Sequence, residues 1–91
     1  MTSLEIRLHE AADRAIQSTI ALGASLYRRD IILPRLIPFF PEDTTDQIVD
    51  RLTRAIAGEE GRGRAGHWSF SMTRLIALKQ ALEAERRTID A

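Results

Sequence analysis

Wherever the order of apolar and polar positions along this chain is regular, its period is helical. Over 3–29, Leu4, Leu8, Ala11, Ala12, Ala15, Ile16, Thr19, Ile20, Leu22, Gly23, Leu26 and Tyr27 fall on one half of a helical wheel. Arg7, Glu10, Asp13, Arg14, Gln17 and Arg28 fall on the other. This predicts a first amphipathic helix of about seven turns and about 40 Å. Thr2 and Glu5 stand at the spacing of a capping box at its start.

Residues 30–41 are rich in Ile, Leu and Phe and carry Pro34, Pro38 and Pro41. Proline donates no backbone hydrogen bond and disfavours helix in the residue before it. The expectation is a short helical piece near 35–37, or one begun at Leu33 with Pro34 in its first turn, followed by an extended stretch. Ile31, Leu33, Leu36, Phe39 and Phe40 are expected to fold back onto the first helix.

The second main helix is expected over about 45–57, with Thr44 and Gln47 as its capping box. Ile48, Val49, Leu52 and Ile56 form its apolar stripe, and Gly58 stands where a helix prefers a left-handed terminator. Four glycines (58, 61, 63 and 66) then predict a mobile Gly/Arg loop over 58–67. A third helix is expected over about 70–88, capped by Ser69 or Ser71. Met72, Leu75, Ile76, Leu78 and Leu82 mark its buried face, and Lys79, Glu83, Glu85, Arg86 and Arg87 its wet face. The fold class is therefore all-α: a small three-helix domain, with a short proline-bounded helical segment between helices 1 and 2.

Composition adds three constraints. With 91 residues there is room for one domain and only a thin core, which a second chain would help to complete. Thirteen basic residues offset thirteen acidic ones, whereas proteins that live on phosphate backbones usually carry a basic excess. There is no cysteine, so no disulfide and no thiolate chemistry, which suits a reducing cytoplasm. Residues 1–8 lack the apolar stretch of a signal peptide, and 31–40 falls far short of the roughly 20 residues that span a bilayer. A cytoplasmic protein with no membrane partner is expected.

The residues capable of chemistry do not assemble into a recognisable site. His9 and His67 are the only histidines and have no metal-ligand spacing, so no metal and no cofactor are expected. His67 lies near Ser69 and Ser71, but the stretch lacks the strand-turn-helix setting of a nucleophile elbow. Trp68 and Phe70 read better as anchors of the preceding loop, and the serines as caps. Gly61-Arg62-Gly63-Arg64 follows a helix rather than a strand, so it is no nucleotide-binding loop. Arg62 and Arg64, with Arg28, Arg29 and Arg35, remain candidate contacts for phosphate or an acidic partner. Neither junction between helices has the tight turn of a helix-turn-helix.

The chain therefore reads as a non-enzymatic protein–protein interaction module, a regulatory or adaptor protein acting as a homodimer with a protein partner the sequence does not name. Its dimer face is expected on the first helix: Leu8, Ala12, Ala15, Ile16, Thr19, Ile20, Gly23 and Leu26, large residues mixed with small ones that permit close approach. The alternative is a nucleic-acid-binding, transcription-regulatory dimer that uses the arginine clusters.

Overall fold

The computed structural model describes residues 2–90 and contains, among them, helices and no strand. There are four α-helices: α1 (Ser3–Ser25), α2 (Arg29–Ile32), α3 (Thr45–Arg64) and α4 (Met72–Asp90). A 3-10 turn, Leu33–Arg35, follows α2 directly, with Pro34 in its first turn. The all-α expectation holds. The expected short segment between the first and second main helices is a helix of its own plus this turn.

Both expected capping boxes are present. Thr2 Oγ1 accepts from the Glu5 N–H while Glu5 accepts from the Thr2 N–H, and Thr44 and Gln47 do the same at α3. Of the two serines ahead of α4, Ser71 is the cap, its Oγ accepting from the Arg74 N–H at 3.1 Å.

Two boundaries differ from the sequence expectation. The first helix ends at Ser25 rather than near residue 29. Tyr27 and Arg29, expected at its end, turn instead toward the carboxylate of Glu85 on α4. That turn lets the following segment reach the core rather than α1. The second helix does not stop at Gly58 but runs two more turns to Arg64, so the expected mobile loop over 58–67 is mostly helix. Three features outweigh the helix-breaking tendency of its glycines. Buried Glu59 is tied to Arg62 within the helix and to Arg74 across it. The Phe70 ring lies so close to Gly63 that a Cβ there would come within 2.8 Å of it. The terminator is Gly66, whose φ of +64° a residue with a Cβ adopts only at a cost. The His67 N–H donates to the Arg62 carbonyl at 2.9 Å and the Gly66 N–H to that of Gly63 at 3.2 Å, the Schellman pattern.

The core lies between α3, α4 and the segment after α2. It consists of Leu33, Ile37, Ile48, Leu52, Ile56, Leu75, Leu78 and Ala81. Ile48, Leu52, Ile56 and Leu75 are buried as their periodicity predicts, while Val49, Ile76 and Leu82 are half-buried at the margin. The proline-bounded segment contributes Leu33 and Ile37, with Leu36 and Phe39 packed beside them. Ile31 and Phe40 are exposed, and the segment covers α3 and α4 rather than folding onto α1. No residue of α1 belongs to this cluster. Its only buried residues, Ile20 and Ala24, lie near its C-terminal end, and α4 is its main neighbour. A compact chain of this length has a radius of gyration of about 12 Å. The value here is 14.8 Å, with a longest dimension of 51 Å, because the start of α1 projects from the body.

Candidate interaction surface

Residues 2–19 are exposed without exception. α1 meets α4 only toward its end, where Gln80 Nε2 donates to the Thr19 carbonyl at 3.2 Å and Gly23 gives the Gln80 side chain room that a Cβ would fill. Gln17 and Ile20 border a small groove against Lys79, Leu82 and Arg86. The side of α1 that meets its own chain is therefore the line Gln17, Ile20, Gly23 and Ala24.

A second apolar line, Leu4, Leu8, Ala11, Ala15, Leu22 and Leu26, runs along α1 roughly 150° around the helix from the first, at 100° per residue. Its exposure shows where it points. In the stretch that α4 covers, Ile20 is 8% exposed, yet Leu22 is 66% and Leu26 72% exposed. Leu4 and Leu8, beyond α4, are as open, at 63% and 61%. This stripe faces away from the body over the whole helix. Leu8, Ala12, Ala15, Thr19 and Leu26 of the expected dimer face lie on or beside it and are exposed. Ile20 and Gly23 belong to the α4 contact, and Ile16 is exposed. The sequence pattern merged two faces into one wide one, and only the position of α4 separates them.

The arginines divide in the same way. Arg29 reaches buried Glu85 with two hydrogen bonds, Nε to Oε2 at 2.8 Å and Nη2 to Oε1 at 2.6 Å, and also bonds Thr45 Oγ1 at 3.1 Å. Tyr27 Oη donates to Glu85 Oε2 at 3.3 Å. Burial, then the charge of Glu85, pushes the Tyr27 hydroxyl well above its ordinary pKa. Arg62 holds buried Glu59 at 3.0 Å, and Arg74 both pairs with Glu59 at 3.4 Å and donates to the Leu36 carbonyl at 2.8 Å. The Arg62 hydrogen bond is the main reason the Glu59 carboxyl sits below the ordinary range. Arg28 pairs with Asp30 at 3.3 Å on the surface, Arg64 lies 3.9 Å from Glu60, and Arg35 is exposed. Two of the five candidate arginines thus stabilise the fold, and the five do not form one basic patch.

Glu59 and Glu85 are buried ion-paired carboxylates that the expected loop and wet face assign to solvent. A signal was there: Ile48, Leu52, Ile56, Glu59 and Leu78, Ala81, Glu85 each continue a buried stripe at helical spacing.

Elsewhere the groups are satisfied locally. A groove of about 540 Å³, open to solvent, is lined by Tyr27, Arg29, Thr45, Glu85, Arg87 and Thr88, among others. Its central charges are spent on each other, and among the described residues no buried side-chain polar atom lacks a partner. His67 Nδ1 accepts from the Ser69 N–H at 3.1 Å and lies 2.7 Å from Ser69 Oγ, a local turn contact in an exposed stretch. Phe70 packs on the core as expected, but Trp68 does not: it is almost wholly exposed and stacks on His67 at 5.5 Å. Among the described residues no three His, Cys, Asp or Glu gather at metal-binding distance, and no helix is long and apolar enough to cross a membrane. Compared with known protein families, curated proteins and solved structures, the chain matches none.

Proposed function

We propose that this protein is a non-enzymatic protein–protein interaction module, a small regulatory or adaptor protein of the cytoplasm, and that it works as a homodimer through α1. The observation that carries this reading is the apolar stripe of α1, exposed along the whole helix on the side away from the body. Contiguous exposed apolar surface of this kind is a mark of interaction sites. A helix that touches its own chain only near its end also has little besides its caps to hold its start, because isolated helices are marginal in water. A partner laid along the stripe supplies what the body does not. The nucleic-acid alternative draws less support, since Arg29 and Arg62 are committed to buried carboxylates and net charge is zero.

Light scattering over a micromolar concentration series tests the proposal. A mass rising toward twice the 10.3 kDa of one chain is expected. A mass of one chain at every concentration would refute self-association.

A further inference from the structure

We infer that the α1 stripe takes a second copy of this chain in antiparallel orientation, about a two-fold axis beside Ala15; the inference rests on the homodimer reading above. The stripe is palindromic in side-chain size. Reversed about Ala15, Leu4 meets Leu26, Leu8 meets Leu22, and Ala11 meets Thr19, so small residues occupy the middle and leucines both ends. Two helices that cross at a small angle are closest at the crossing point and diverge from it. Small side chains suit that centre, and leucines fill the wider gaps outside it. A two-fold axis makes such a face its own complement.

Two observations favour antiparallel over parallel. Residues 15–27 include no charged residue, and only this half of α1 is braced by α4. Antiparallel pairing lays the projecting start of each helix along the braced half of the other, whereas parallel pairing would match two unbraced ends. It also opposes the two helix dipoles. The area suffices. Half the surface of a helix of 23 residues, about 34 Å long and about 11 Å across, is roughly 600 Å². Two chains then bury roughly 1,200 Å², the low end of a specific interface, consistent with a reversible dimer.

The absence of cysteine from the chain makes disulfide trapping a clean test. The positions are exposed, so the substitutions leave the core intact. Under mild oxidation Ala15→Cys should link to itself. Leu8→Cys alone should not, because its two copies would stand about 21 Å apart along the helices, far beyond the roughly 7 Å that a disulfide spans. Leu8→Cys mixed with Leu22→Cys should yield the mixed dimer. Asp13→Cys, off the stripe, should stay unlinked. Self-linking of Leu8→Cys with no mixed product would overturn the orientation, and a dimeric mass with no trapping on the stripe would overturn the face. A monomeric mass for the unaltered chain would instead remove the homodimer reading on which both depend.

Discussion

Replacing Gly58 by alanine should stabilise the protein, and replacing Gly63 should not. Both glycines lie within α3, where glycine costs about 0.8–1 kcal/mol relative to alanine. At Gly58 the nearest atom to an added Cβ is Arg62 Nη1 at 3.7 Å, an ordinary contact with a flexible side chain, so most of that gain is kept. At Gly63 the Cβ would meet Phe70 Cε2 at 2.8 Å and Cδ2 at 3.1 Å, on a ring packed against the core. Displacing such a ring costs about 1–3 kcal/mol, which cancels or exceeds the propensity gain. Gly66→Ala loses about 1–2 kcal/mol to the left-handed backbone. Thermal unfolding followed by circular dichroism, at one protein concentration, resolves these differences, since 1 kcal/mol shifts the midpoint by about 4–8 °C in a domain of this size. A destabilised Gly58→Ala would mean that the helix ends at Gly58 after all. Equal gains at Gly58 and Gly63 would mean that Phe70 does not seat on Gly63.

Two further predictions concern the buried carboxylates. The Glu59 carboxyl is held below its ordinary value of 4.5, first by the Arg62 hydrogen bond and less by the Ser71 N–H and the charge of Arg74. Folded Glu59 binds a proton less readily than unfolded Glu59, so its contribution is complete above pH 4.5 and lost as pH falls through the lower folded value. Denaturant titrations across that range should show a shallower acid limb for Glu59→Gln, and an unchanged limb would refute the assignment. Tyr27 is the only tyrosine, so phenolate absorbance reports it alone. The folded protein should show no phenolate near pH 10.0, where a free tyrosine ionises, because burial and Glu85 oppose the charge. Titration of the folded chain at the ordinary value would break the Tyr27–Glu85 contact from the picture.

The amphipathic periods, the two capping boxes and the proline-bounded break were legible in the sequence because each depends on residues within a few positions of one another. The same locality explains the core of α3 and α4: Ile48, Leu52, Ile56 and Leu75 recur at helical spacing whatever they pack against. The exposed apolar line of α1 was legible only in outline, since periodicity reports that α1 has a wide apolar half but not which part of it its own chain covers.

Tertiary structure decided the rest. Glycine content argued for a loop over 58–67, but helix persists there because Arg74 and Phe70, from beyond the turn, pair with Glu59 and pack on Gly63. Likewise α1 stops at Ser25 because Tyr27 and Arg29 are drawn to a carboxylate 58 and 56 residues further along the chain. A local pattern assigns charged residues to water. A buried carboxylate with its guanidinium partner exists only once distant segments meet, because burying either charge alone is prohibitively costly. The same docking of α4 against one side of α1 covers Ile20 and leaves Leu22 and Leu26 facing outward, and so turns one broad apolar half into a packed line and an open one.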